Sequence, residues 1–204
     1  MQRTVYTIGH STHPRNEFFD LLSEHGITAL CDVRSVPYSR LHPYFNRKEL
    51  KAALQKRQVA YAFLGSELGA RSEDPSCYDH GRVQYGRLAR MELFQQGLAR
   101  VQNGMKKFRL VLMCAEKEPL ECHRAILVAR HLVALSIDVQ HIHETAAWKA
   151  TTWPWPAWRN CFTCRKRTCS TRAKICWTMF TVARKSVSRP TNAPATTVEA
   201  RVTG

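Results

Sequence analysis

The sequence predicts an α/β domain with a mainly parallel five-stranded sheet flanked by helices, a Rossmann-like arrangement, plus a poorly structured basic tail. Three observations carry this expectation. Short apolar runs alternate with amphipathic segments over residues 4–143, polar groups gather directly after those runs, and the composition changes abruptly at Glu144. Strands that alternate with helices pair in parallel and are covered on both faces.

Residues 4–8 (T-V-Y-T-I) read as the first strand, followed by Gly9, His10 and Ser11. The apolar residues at 18–22 make a helix, closed by Gly26 because glycine accepts the left-handed backbone at a helix C-terminus. Residues 27–33 form the second strand, at whose end stand Asp32 and Arg34. Residues 47–57 place Leu50, Ala53 and Leu54 on one helical face, and 59–64 form the third strand. The segment 66–87 has no clear period and is expected to be a lid or binding loop, the usual role of so long a connection. Residues 88–101 form an amphipathic helix stopped near Gly104, and residues 108–113 form the fourth strand. Its helix spans 120–135, with Pro119 in the first turn where no N–H is needed. Residues 137–142 complete the sheet.

The 204 residues divide at Glu144. Residues 1–144 hold 20 Lys and Arg against 15 Asp and Glu, whereas 145–204 hold 11 against Glu199 alone. All five tryptophans (Trp148, Trp153, Trp155, Trp158 and Trp177) and half of the eight cysteines lie in the second part, which shows no period of either kind. Three readings compete for it: a basic nucleic-acid arm, a Cys-rich metal knuckle, or an out-of-frame segment. Codons favour the third. In the frame one base earlier every TGG contributes to NTG, so the tryptophans become Leu, Met or Val and the segment reads as helical and acidic. Cys161 and Cys164 form C-x-x-C, but Cys169 and Cys176 do not make a standard second zinc pair.

The N-terminus reads as a strand rather than a leader, and no apolar run approaches the roughly 20 residues that span a bilayer. A cytoplasmic protein with free thiols and no membrane partner is expected. The folded part has no stacked aromatic platform, and its balance of +5 is mild.

The densest chemistry is M-C-A-E-K-E-P-L-E-C-H-R, residues 113–124, between a buried strand and a helix. Ligands in parallel sheets sit beyond the carboxyl ends of the strands, where His10, Ser11, Asp32, Arg34, Cys114 and Glu116 all fall. Cys114 reads either as a thiolate nucleophile or as a small buried hydrophobe. Glu116 reads as a general base or as a charge complementing a helix dipole. Arg124, placed at a positive helix end, needs an anion or a carboxylate. With Arg34 and Arg40 it forms an anion clamp, or Asp32 or Glu116 forms a buried bridge with one of the arginines. Ser39 and Arg40 belong to a loop that could cover the site, Glu67 is expected to be exposed, and Tyr61 to be core. Cys122 and His123, if consecutive in a helix, diverge by about 100° and do not readily face one point.

T-I-G-H-S (7–11), D-V-R-S-V-P-Y-S-R (32–40), L-G-x-x-L-G (64–69) and M-C-A-E-K-x-P-x-x-C-H-R occur in this order. With these motifs the chain resembles the family called domain of unknown function 488 over residues 4 to about 143. The resemblance implies an α/β fold with a shared polar site and supplies no reaction. It also implies a helical, acidic C-terminal segment, from which this sequence departs where its composition breaks.

The residues together point to an enzyme acting on a phosphorylated or other anionic compound, a nucleotide or nucleic acid among them. Cys114, Glu116, His10, His123 and Asp32 would carry the chemistry, and Ser11, Arg34, Ser39, Arg40 and Arg124 would hold the substrate. The alternatives are a non-catalytic nucleotide- or nucleic-acid-binding module, and a metal protein using Cys114, Cys122, His123 and His10, with Asp32 as a further donor. No cofactor or oligomeric state is indicated.

Overall fold

The computed structural model describes residues 4–10 and 13–143. Ser11 and the tail from Glu144, with its arm, knuckle and frame readings, lie outside the described residues. In chain order the elements are β1 (Thr4–Gly9), α1 (Arg15–Glu24), β2 (Ala29–Asp32), α2 (Arg47–Gln55), β3 (Ala60–Phe63) and α3 (Gly65–Leu68). There follow β4 (Tyr78–Asp79), β5 (Arg82–Val83), α4 (Tyr85–Leu88), α5 (Glu92–Met105), β6 (Leu110–Cys114), a π-helical stretch Arg124–Ala129, α6 (Arg130–Ala134) and β7 (Asp138–His141).

Five strands form one sheet in the order β3-β2-β6-β1-β7, every neighbouring pair parallel. All five fall within the runs expected from the sequence or one residue beyond them. β6 enters between β2 and β1, so the chain reverses direction across the sheet there, and the carboxyl ends of these three strands border one another.

Strand alternation sorts the core into two layers. Tyr6, Ile8, Leu30, Val111 and Met113 pack against Phe18, Phe19 and Leu22 of α1 and Leu50 and Leu54 of α2. Val5, Ala29, Cys31, Leu110, Leu112 and Cys114 pack on the other side with Phe94, Leu98 and Val101 of α5 and with Leu127, Val128 and Leu132. Gly26 follows α1 at φ 60°, and α5 stops at Met105, next to Gly104, both as expected.

Two local expectations change, at Glu67 and after Pro119. The segment 66–87 holds a two-stranded hairpin, β4 and β5, which turns at His80 and Gly81, both at positive φ. Glu67 is largely buried and pairs with Arg100 of α5 rather than facing solvent. The helix foreseen over 120–135 is also broken. Pro119–Glu121 is a 3-10 turn, Cys122 is extended at φ −117° and ψ 138°, and the helix starts only at His123 with its first turns wound as π. π segments of this kind concentrate at functional sites.

Glycine is required where backbones meet. A Cβ on Gly9 would lie 1.9 Å from the Glu116 carbonyl oxygen, and one on Gly65 would lie 2.0 Å from that of Arg34. Neither clash can be relieved by moving a flexible side chain. Gly9→Ala is therefore expected to destabilise the fold by about 3 kcal/mol in urea unfolding, the upper range for overpacking. Wild-type stability of that variant would contradict the close approach.

Candidate functional site

Beyond the carboxyl ends of β1, β2 and β6 the polar residues fall into two groups, and strand parity decides the membership of each. Asp32 pairs in register with Met113, on the α1/α2 side, whereas Cys114 pairs with Gly9 and faces the α5 side. His10 joins the edge between them, its backbone N–H donating to the Cys114 carbonyl at 3.0 Å.

The first group is a closed ionic network. Arg34 donates to both oxygens of Asp32, from Nε at 2.9 Å and Nη2 at 2.6 Å, and also to the Phe45 carbonyl at 2.8 Å. Its Nη1 lies 3.1 Å from His10 Nε2. A guanidinium only donates, so His10 accepts at Nε2 and carries its proton on Nδ1. Burial, then the charges of Arg34 and His42, press the His10 pKa down to about 3, and the ring stacks on Phe45 at 4.4 Å. Tyr61 adds a hydroxyl donated to Asp32 at 3.0 Å, a polar role beyond the core packing expected of it. Burial and the Asp32 charge push its phenol up.

The anion clamp expected of Arg34, Arg40 and Arg124 is not assembled. Arg34 is filled by Asp32, the buried bridge that was the alternative reading. Arg124 has no exposed surface and gives its terminal nitrogens to the carbonyls of Glu116 and Lys117. Arg40 is exposed in the following loop, and the Ser39 hydroxyl accepts from the His42 N–H at 3.1 Å, shaping that loop.

The second group comprises Cys114, Glu116, Cys122 and His123, whose donor atoms all lie within 4.8 Å of one another. Both thiols donate to Glu116 Oε2, at 2.9 Å from Cys114 and 3.0 Å from Cys122. His123 Nδ1 lies 3.6 Å from the Cys114 sulfur and 3.9 Å from that of Cys122. Its other nitrogen, Nε2, sits 3.0 Å from the Val33 carbonyl, which only accepts, so the proton is on Nε2 and Nδ1 is the atom turned to the sulfurs. Cys122 and His123 converge because Cys122 is extended and only His123 is helical; the 100° rule for consecutive helical residues does not apply.

The electrostatics of this group follow from crowding. Burial and then the neighbouring Cys114 push the Cys122 thiol well above its ordinary value. Burial opposes ionisation of Glu116, but the two thiol hydrogen bonds outweigh it and hold the carboxyl below its usual range. For His123, burial pulls the pKa down, while the Cys122 contact, the Val33 bond and the Glu116 charge reverse this and raise it overall. Tyr85 of α4 was not anticipated from the sequence. Burial, then the charges of Cys122, Glu116 and Cys114, push its phenol up to about 12, and its ring packs on the core layer that holds the two cysteines.

His10 and Asp32 belong to the arginine network, so the metal set expected with them is corrected: Glu116 stands with the two cysteines and His123 instead. Only the position of Glu116 two residues after Cys114 could have indicated this. A family model described as domain of unknown function DUF488 matches residues 14–131, more than half of the chain. The chain belongs to the DUF488 family. No curated protein and no solved structure matches it. The DUF488 match contains the whole Cys114, Glu116, Cys122 and His123 cluster and Asp32 with Arg34, and begins after His10.

A cleft of about 850 Å³ at the opposite, amino-terminal edge of the sheet is lined by Thr28, Lys106, Phe108, Arg109 and Leu135, among others. It is remote from both polar groups.

His141, hydrogen-bonded to Thr7 at 2.6 Å, has its pKa lowered from 6.5 to about 4, first by burial and then by Arg124. A histidine depressed in the folded state stabilises fully above its unfolded pKa and loses that contribution as pH falls, because only the unfolded chain takes up the proton. Stability should drop between about pH 6.5 and 4, and His141→Gln should remove up to about 3 kcal/mol of that drop. Parallel stability–pH curves for the two proteins would show His141 to be uninvolved.

Proposed function

We propose that this chain is a metal-binding α/β protein whose centre is formed by Cys114, Cys122 and His123 with Glu116 at its rim, and that zinc is the ion it takes. One observation supports this most directly: an imidazole pinned through Nε2 to a backbone carbonyl presents Nδ1 to two sulfurs. This is how metal-ligating histidines are held, the outer hydrogen bond fixing the tautomer and ring orientation. Zinc bonds of about 2.3 Å to sulfur and about 2.05 Å to nitrogen set tetrahedral sulfur–nitrogen edges of about 3.6 Å. The separations are 3.6 Å, equal to that figure, and 3.9 Å, slightly beyond it.

A divalent cation bound here would displace the thiol protons, since thiolate is the ligating form. Soft sulfur with imidazole suits zinc more than magnesium or calcium, which take oxygen donors. Cys31, Cys77, Cys114 and Cys122 are free thiols. A reducing compartment such as the cytoplasm preserves two of them as ligands, and no helix among the described residues is long and apolar enough to cross a membrane.

Elemental analysis of freshly purified full-length protein is expected to give one zinc per chain. Cys114→Ser and Cys122→Ser should each lower zinc affinity by about 100-fold or more in chelator competition while circular dichroism stays unchanged, because hydroxyl is a poor replacement for thiolate. A folded wild-type protein that neither contains zinc nor binds it at micromolar concentration would rule the proposal out.

A further inference from the structure

We propose that the fourth position of this centre is open to water and substrate, and that Glu116 is the proton acceptor beside it, so that the chain is a hydrolase. The inference rests on the metal reading above and adds a reaction to it.

The first support is a misfit. A carboxylate oxygen serving as a fourth tetrahedral ligand would stand about 3.6 Å from each sulfur, given metal–oxygen bonds near 2.1 Å. Glu116 Oε2 lies at 2.9 and 3.0 Å, too close on both edges, while the imidazole stands at 3.6 and 3.9 Å, at and slightly beyond the ligand spacing. The imidazole is thus placed as a ligand beside the sulfurs, and the carboxylate as their hydrogen-bond partner. When the thiols lose their protons to a metal, Glu116 loses both of its donors and is released.

Burial supplies the second. Cys114, Cys122 and His123 are 2%, 1% and 6% exposed, whereas Glu116 is an exposed residue. Structural zinc sites are closed on all four sides; catalytic sites keep three protein ligands and one accessible position. The main chain at Glu116 is fixed by Arg124, so only its side chain has to move. Charge agrees as well. Two thiolates and a neutral imidazole balance a divalent ion, and a permanent carboxylate would add a negative charge and weaken its pull on a bound water.

In the reaction, Glu116 Oε2 takes one proton from a water whose oxygen forms a bond to an electrophilic sp² carbon; an ion held by Cys114, Cys122 and His123 would supply the charge that acidifies that water. The π electron pair moves to the heteroatom of that carbon and returns as the bond to the leaving nitrogen or oxygen breaks. The leaving group then takes the proton from Glu116. One water is consumed, two products form, and nothing is oxidised or reduced. Amides, amidines and esters are the matching substrate class.

The test uses full-length protein loaded with cobalt(II), whose visible bands report its ligands, and two small probes: azide, which only needs an open position, and acetohydroxamic acid, which must also give up a proton as it binds. Both are expected to shift the bands saturably. Glu116→Gln should leave azide affinity within about 2-fold and weaken acetohydroxamic acid by about 10-fold or more, the scale of losing one partner of a bound group. If cobalt binds but neither probe changes the spectrum, the fourth position is closed and this inference fails. If both probes bind equally well to Glu116→Gln, Glu116 is not the acceptor. Failure to take up cobalt at all would instead overturn the metal reading itself.

Discussion

A guanidinium with no exposed surface holds the strand end on which the candidate site depends. Arg124 donates to the carbonyls of Glu116 and Lys117, and no carboxylate among the described residues comes within ion-pair distance of it. Charge-assisted bonds to carbonyls are worth more than neutral ones, and losing them would leave a buried charge exposed to a low dielectric. The turn after β6 is thereby fastened to the helix that follows. From the other side the Glu116 carbonyl presses on Gly9, where any side chain would force it away. Cys114, Glu116, Cys122 and His123 are near one another because both constraints act on the same few residues.

The sheet itself explains why the polar strand ends do not make one undivided pocket. Adjacent positions along a strand face opposite layers, so Asp32 and Cys114 are separated even though β2 and β6 are neighbours. The α1/α2 layer receives Asp32, Arg34, His10 and Tyr61, a set whose hydrogen bonds are directed at one another and at Phe45. Such a buried ion pair adds little net stability against an apolar replacement, but removing one member would strand the other. Its visible effect is positional: it ties the ends of β1 and β2 to the loop carrying Phe45. The other layer receives the thiols and His123, whose imidazole is oriented by the Val33 carbonyl just beyond β2.

Reading the sequence alone goes a long way for elements and much less far for the site. The five strands follow from β-rich apolar runs bounded by glycine and polar residues, and such runs have few alternatives once helices alternate with them. Glu67 was misplaced because its partner, Arg100, lies 33 residues away on α5. The hairpin within 66–87 is invisible in the sequence because strands of two residues have no period long enough to detect. Cys122 and His123 were expected to diverge because local rules assign the residues after Pro119 to one helix; the 3-10 turn and the extended Cys122 break that assumption.

The sequence by itself determined the layered parallel fold and the strand ends at which chemistry gathers, since hydrophobic periodicity and turn residues are local properties. It also brought Cys114 and Glu116 into one turn. Tertiary structure alone decided which of the polar residues share a face. Strand register, the inward turn of Arg124 and the Val33 carbonyl set the distances between groups that sequence spacing leaves free, and those distances separate the sulfur–imidazole cluster from the arginine–aspartate network.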